Sequence, residues 1–367
     1  MSKVAFVADV HVGNPSTFGG PLVCGVNTRG SQVLTALEGA LKASLDCDAL
    51  VICGDLFDTS SPSPQMIKRV MDLCDMRRLT LDDAPWLYIL MGNHDMVSDI
   101  SGDNALGPLS TIPGVVLIEK PTLIQWNATY DLVLIPFQTG DAREWFPSVV
   151  REQCKGLTED KPRVLAFHLG VADKNTPAFL RSAHDAIELE VVQSLMEECH
   201  IDFAYCGNWH NPQRWGKVIQ CGALAPTGWD NPGWNYGMVH KLDTRTGLRS
   251  VSHIPGPRFV VAHSEEEITS ARVEAMQRKC DLYLSLKGEA ADRLEDVRQM
   301  DGVFQARAVP DVEDARDATR AAAVAVRGAA TLNDALARYI AQMPVAEGVD
   351  RASVHASAKK YLAMGGT

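Results

Sequence analysis

The chain has 367 residues, 46% of them hydrophobic, a length that exceeds one ordinary domain and suits a large catalytic domain with a smaller appendage. Its formal net charge of −11 argues against a nonspecific polyanion binder, because phosphate backbones are held by Lys and Arg. A nucleic-acid enzyme stays open only if bound cations supply the local positive charge. In chain order, "KVAFVADVHVG" reads as a strand, "GSQVLTALEGALKASLDC" as an amphipathic helix, "ALVICGDLF" as a strand and "SPQMIKRVMDLCDMRRL" as a helix. There follow "WLYILMGNHD", "GVVLIEKPTLIQW", "DLVLIPFQ", "RVLAFHLGV", "DFAYCGNWH" and "KVIQCGALA", each a β-rich run bounded by Gly, Pro, Asn or Asp. Such alternation predicts an α/β layered sheet. The unbroken run of strands over 115–137 predicts that part of the sheet is antiparallel.

Around "HIPGPRFVVAHSEEE" the composition shifts toward Ala, Arg, Asp and Glu, which places a boundary near residue 260. Residues 1–260 form the expected catalytic domain and 261–330 a smaller appendage. Residues 331–367, with helical spacing in "TLNDALARYIAQM" and "DRASVHASAKKYLAM", form a C-terminal helical segment. No apolar run approaches the ~20 residues of a membrane span, so no membrane contact is expected. "VAFVADV" lacks the basic start of a signal peptide. The nine cysteines form no CxxC pair, and most lie in apolar stretches, which points to reduced thiols in a cytoplasmic protein.

Several of the β-rich runs end in residues able to bind a divalent metal. "ADVHVG" offers Asp9 and His11, expected on one face of a strand end because side chains alternate with period two. "CGDLFD" offers Asp55, with Asp58 either behind it or capping a turn; "MGNHD" offers Asn93 and His94, "AFHLG" His168, and "GNWH" Asn208 and His210. The carboxyl ends of strands are where open α/β sheets place ligands. Imidazole nitrogens mixed with carboxylate and amide oxygens suit Mn²⁺, Fe or Zn²⁺ better than Ca²⁺, and the lack of Cys argues against structural zinc. Two ions roughly 3.5–4 Å apart can share a carboxylate, activate a water and neutralise a phosphate during in-line displacement.

The ordered set D-x-H, GD-x-x-D, GNHD, H and GNWH resembles the calcineurin-like metallophosphoesterase superfamily over residues 4–245. "GDLFDTSSPSP" and "GNWHNPQ" look like its DNA-repair exonuclease branch, the SbcD-like nucleases. The resemblance implies a layered sheet sandwich flanked by helices, a smaller α/β cap and C-terminal helices. It also implies two divalent ions, Mn²⁺ first and Mg²⁺ second. Asp9, His11 and His210 would hold one metal, Asp55 would bridge, and Asn93 and His168 would hold the other. His94 would contact the scissile phosphate and assist the leaving oxygen. The partners implied are DNA, an SbcC-like coiled-coil ABC-type ATPase docked on the C-terminal helices, and a second copy in a homodimer.

This sequence departs from that pattern at Asn208, where the superfamily places a histidine completing the second metal site. Three readings follow: a weaker, Mn²⁺- or Mg²⁺-leaning site completed by the amide oxygen, a water-bridged site, or lost activity. Because every other ligand is present, a functional centre with a weakened second metal site is expected. The activity implied is metal-dependent hydrolysis of DNA phosphodiesters. A phosphatase or cyclic-nucleotide phosphodiesterase on the same core is the second candidate, and a catalytically weakened DNA-end-binding scaffold the third.

Overall fold

The computed structural model describes residues 2–15, 18–79, 84–98, 103–126, 129–158, 160–229 and 236–309, with 337, 340, 350, 352–356 and 358 beyond them. Two six-stranded sheets form its centre. The first runs, in spatial order, Arg249–Pro255, Tyr236–Asp243, Lys3–Val7, Ala49–Ile52, Trp86–Leu90, Val115–Ile118; the second runs Gln213–Trp215, Val218–Gln220, Phe203–Gly207, Arg163–His168, Tyr130–Ile135, Thr122–Trp126.

Period-two alternation decides how the layers stack. In the first strand Val4, Phe6 and Ala8 face one way, into a cluster that also holds Val51, Leu132, Leu134, Val164 and Tyr205 from both sheets. Phe6 and Tyr205 stack at 3.9 Å between ring centroids. Ala5 and Val7 face the other way, into a second cluster with Val33, Leu37, Leu41, Met66 and Val70. Those five belong to helices Thr28–Ala43 and Pro64–Leu79. On the far side, Ile135, Leu165 and Phe167 meet Phe146, Val150, Val192 and Leu195 of helices Ala142–Cys154 and Leu189–Glu198. The result is a helix–sheet–sheet–helix sandwich, as the alternation of elements predicts. Helix starts follow their caps: the Asn27 side chain accepts from the Gly30 amide at 2.7 Å, and Asp141 accepts from the Arg143 amide at 3.0 Å.

Strands Lys3–Val7, Ala49–Ile52, Trp86–Leu90 and Val115–Ile118 run parallel, as do Phe203–Gly207, Arg163–His168 and Tyr130–Ile135. Antiparallel pairing does occur within 115–137, between Thr122–Trp126 and Tyr130–Ile135. However, the run does not stay together: Val115–Ile118 closes the first sheet and Thr122–Trp126 closes the second. The turn at Lys120–Pro121 carries the chain from one layer to the other.

The chain divides into two compact units, one of Met1–Val260 with Glu274–Tyr283, the other of Val261–Val273 with Leu284–Thr367. The elements from residue 258 to 308 are a three-stranded sheet of Arg258–Ala262, Leu282–Leu286 and Gln305–Ala308, helix Glu265–Arg278, the 3₁₀ turn Gly288–Arg293 and the short helix Leu294–Arg298. Most of the C-terminal helical segment expected over 331–367 lies outside the described residues. Among the described residues no helix is long and apolar enough to cross a membrane.

Candidate metal centre

Eight of the residues singled out by the sequence converge at the carboxyl ends of strands from both sheets. Asp9 and His11 follow Lys3–Val7, Asp55 follows Ala49–Ile52, and Asn93 and His94 follow Trp86–Leu90. His168 ends Arg163–His168, while Asn208 and His210 follow Phe203–Gly207. Asp9 and His11 are not brought together by strand pleat, as the sequence suggests. The strand ends at Val7, and both residues adopt left-handed backbone, with φ of 50° and 51°. Asp55 (53°) and Asn208 (84°) share that conformation. Four non-glycine residues in a costly region of backbone space at one point mark strain concentrated at a functional site. The surroundings hold it in place: Val10, His11 and Val12 donate backbone hydrogen bonds to Asp55 and Leu56 at 2.8–3.0 Å. Gly54 (φ 92°) lies beneath His168, where a Cβ would be 2.0 Å from Nδ1, so only glycine fits.

The side chains form a continuous cluster. Nε2 of His11 and Nε2 of His210 lie 2.9 Å apart, and His11 Nε2 is 3.7 Å from Asp55 Oδ2. The same Asp55 oxygen is 3.4 Å from His168 Nε2, and that nitrogen is 3.0 Å from Asn93 Oδ1. The other His168 nitrogen, Nδ1, faces the Cys53 carbonyl at 2.6 Å, which fixes the ring. His94 donates its backbone amide to Asp55 Oδ1 at 2.9 Å. Its ring Nδ1 lies 2.9 Å from the Asp58 carbonyl.

Burial makes this concentration of charge expensive. Asp9 and Asp55 are 0% and 1% exposed, and among the described residues neither has an ion pair with Lys or Arg. Burial raises the Asp9 carboxyl to about 7, and its Oδ2 is buried without a hydrogen-bond partner. Burial works against ionisation of Asp55 too, but the His168 charge and hydrogen bond, with His11 and His94, outweigh it and hold that carboxyl below its usual range. Burial lowers His11 to about 3 and also lowers His210, so both imidazoles stay neutral with lone pairs available. For His168, Asp55 and Asp9 overcome desolvation and raise the ring to about 9. The unpaired Asp9 oxygen beside the neutral His11 and His210 imidazoles is a donor set suited to a divalent cation, and a cation would take the place of the proton that Asp55 and Asp9 otherwise hold on His168. Among the described residues, Asp oxygens and His nitrogens cluster as Asp9, His11 and His210, as Asp9, Asp55 and His168, and as His11, Asp58 and His94, the atoms of each group within 4.8 Å of one another. Two adjoining groups of this kind fit two ions.

Three supporting carboxylates play parts that the sequence left unassigned or open. Asp95, the last residue of "GNHD", accepts from the backbone amides of Leu56, Phe57 and Gly92 at 2.9–3.3 Å. It thereby ties the loop carrying Asp55 to the loop carrying Asn93. Asp58 sits behind His11, with Oδ1 3.6 Å from Nδ1. Asp185 has no motif to betray it: the Asn208 amide nitrogen donates to its carboxylate at 3.1 Å and its carbonyl at 3.3 Å. The Asn208 backbone amide donates to Asp9 Oδ1 at 2.8 Å.

A two-sheet sandwich with converging His, Asp and Asn donors defines a dinuclear phosphoesterase architecture. The family model for calcineurin-like phosphoesterases matches residues 2–212, and the chain belongs to that family. Among solved structures it is similar to a dimetal phosphatase from Danio rerio, at 13% identity and TM-score 0.43, covering 69% of this chain and 96% of that one. It is also similar to purple acid phosphatase PPD1 from yellow lupin seeds, at 13% identity and TM-score 0.35, covering 69% of this chain and 45% of the lupin protein. A Staphylococcus aureus protein named as a 5'-nucleotidase, solved with alpha-ketoglutarate, aligns at 14% identity and TM-score 0.41 over 72% of this chain. The chain spans 57% of that protein's length.

Proposed function

We propose that the protein is a two-metal phosphodiesterase acting on DNA, a nuclease of the SbcD-like kind. The carrying observation is the source of positive charge. No Lys or Arg is among the eight clustered residues, and none is among the described residues lining the cavity of about 600 Å³ that opens beside Asn208 and His210. Among the described residues of this cluster and cavity, the anionic substrate therefore relies on bound cations rather than on Lys or Arg. That arrangement suits the single charge of a diester better than the double charge of a monoester. The quoted motifs after Asp55 and His210 support the DNA branch.

Asp9, His11 and His210 would hold one ion, Asp55 both, and Asn93, His168 and the Asn208 amide oxygen the second. Mn²⁺ is the metal this oxygen-rich second set favours. When bound, the ions supply charge neutralisation for the phosphate and a nucleophile at neutral pH. Asp95 keeps the Asp55 and Asn93 loops in register. His94, tied through Nδ1 to the Asp58 carbonyl, presents Nε2 to the leaving oxygen. The docking of an SbcC-like ATPase on residues 331–367 and self-association as a homodimer belong to the same proposal. Co-purification with and without that segment tests both.

The deciding experiment supplies Mn²⁺ with end-labelled linear DNA, bis(p-nitrophenyl) phosphate and p-nitrophenyl phosphate in parallel. Cleavage of DNA and the diester is expected. Efficient hydrolysis of the monoester with DNA and diester intact would establish the phosphatase reading instead.

A further inference from the structure

The cavity next to the metal centre has a composition that the phosphate chemistry does not explain. Asn208 and His210 lie on its border, so it opens directly onto the centre. Its volume, about 600 Å³, falls within the ~300–1,000 Å³ of ordinary small-molecule sites. Trp209, between those two residues, contributes its indole, and Asn175, Asn211, Gln213 and Gln220 contribute amides. The one carboxylate is Asp173, already engaged by the Trp215 indole N–H at 3.1 Å and by the Asn175 and Thr176 amides at 2.9–3.0 Å. Among its described lining residues no Lys or Arg offers charge to a second phosphate.

The indole is held flat. A Cβ at Gly170 would lie 2.2–2.5 Å from Cε2, Nε1 and Cδ2 of Trp209, three ring atoms at nearly one distance. The ring face therefore rests on the Gly170 backbone, and any larger residue there would displace it. Gly170 is itself fixed by its amide donating to the Asp185 carbonyl at 3.0 Å. The floor is rigid as well: buried Gln220 donates to the Asn211 carbonyl at 2.6 Å and accepts from the Val171 amide at 3.4 Å. Asn175, Asn211 and Gln213 are exposed at the rim. An immobilised aromatic plane with neutral amides, each both donor and acceptor, matches an uncharged planar heterocycle with hydrogen-bonding edges.

We propose that this cavity is a nucleobase subsite, in which Trp209 stacks on the base of the nucleotide whose phosphate lies at the metal centre and the rim amides meet its edge. The proposal deepens the phosphodiesterase reading by naming the substrate's recognised group, and rests on that reading for the phosphate's position. Stacking of a base on an aromatic side chain tolerates any base, so low base selectivity is expected.

Two measurements test it. The first needs neither metal nor turnover: 2-aminopurine deoxyriboside is titrated into the protein, since stacking quenches its fluorescence. Saturable quenching is expected for the native protein and for Trp209→Phe, with about tenfold weaker binding in Trp209→Ala and in Gly170→Ala. The second compares kcat/KM for thymidine 5'-(p-nitrophenyl) phosphate with that for methyl p-nitrophenyl phosphate under Mn²⁺. Taking the ratio within each variant cancels damage to the metal centre. The native enzyme should prefer the nucleoside ester, and Trp209→Ala and Gly170→Ala should lose that preference about tenfold. No saturable quenching by the native protein, or equal quenching by Trp209→Ala, would overturn the subsite. Hydrolysis of neither ester by an enzyme that still quenches 2-aminopurine would overturn the diesterase reading and leave the subsite standing.

Discussion

Removing the Asp185 carboxylate should weaken the binding of one metal ion and spare the other. Asp185→Ala deletes the acceptor 3.1 Å from the Asn208 amide nitrogen. It leaves the Asp185 carbonyl in place, which accepts from the Gly170 amide at 3.0 Å and keeps the loop where it is. With its nitrogen held by Asp185, the Asn208 amide has its oxygen as the free end, and in the proposed centre that oxygen is the atom that would meet the second cation. Hydrogen bonds to charged groups contribute about 1.5–3 kcal/mol, and Asp185 is only half-buried, so the lower end of that range applies. That is roughly a tenfold loss of affinity, at the lower limit of the ~10–100-fold seen when outer partners of metal ligands are removed. Calorimetric titration with Mn²⁺ of the native protein, Asp185→Ala, Asn208→Ala and the double variant checks this. The weaker of two binding steps should shift about tenfold in Asp185→Ala, and the double variant should match Asn208→Ala. Additive losses in the double variant would show that Asp185 does not act through Asn208, and an unchanged isotherm in Asp185→Ala would refute the positioning outright. Asn208→His should tighten the same step and let activity saturate at lower Mn²⁺.

Three other expectations concern separate parts of the molecule. His94→Ala should keep both metals, because the amide that donates to Asp55 belongs to the backbone, while kcat falls ~10²–10⁴-fold; an empty metal site in that variant would reveal a ligand role. His240 is lowered to about 4 by burial, whereas in the unfolded chain it titrates near 6.5. The unfolded state therefore binds the extra proton first, and stability should fall as pH drops from about 6.5 to 4, by at most about 1.4 kcal/mol per unit. Urea midpoints of the native protein and His240→Phe over that range test it, and parallel curves would refute it. Buried Arg29 donates to the Pro226 and Thr227 carbonyls at 3.0 and 3.1 Å, and its guanidinium lies 4.5 Å from the Phe259 ring centroid. Arg29→Met should cost about 2–4 kcal/mol by urea denaturation; a loss under about 0.5 kcal/mol would mean the neighbours repack without it.

Much of the centre is legible in the sequence because each donor sits within four residues of a strand's end, and strands announce themselves by apolar β-branched runs. Asp55, Asn93, His168 and His210 are found this way. The pairing of Asp9 with His11 is legible, but its cause is not: left-handed φ at both residues, rather than strand alternation, turns them inward. Asp95 and Asp58 lie inside the quoted motifs, yet only the fold shows one bridging two loops and the other behind His11. Asp185, Trp209 on Gly170 and Arg29 under the 226–227 loop depend on contacts between distant segments, and short motifs carry no trace of these. The separation of Val115–Ile118 from Thr122–Trp126 is equally silent. A short turn with proline serves a hairpin or a change of layer alike.

The first strand pairs with Tyr236–Asp243, joining Val4 to Leu242. It lies between that strand and Ala49–Ile52, so the residues that position Asp9 and His11 are separated by most of the polypeptide. During synthesis on the ribosome, the amino-terminal strand therefore waits without one neighbour until residue 243 has left the exit tunnel. Sheets closed by such remote pairings assemble slowly. A nascent chain carrying Asp9, His11, Asp55 and His168 would still be inert, with its cation-binding loops unsupported, and its exposed strand edge is a reason for chaperone attention. Completion of the centre therefore waits on Tyr236–Asp243, a strand remote in sequence from the loops it supports.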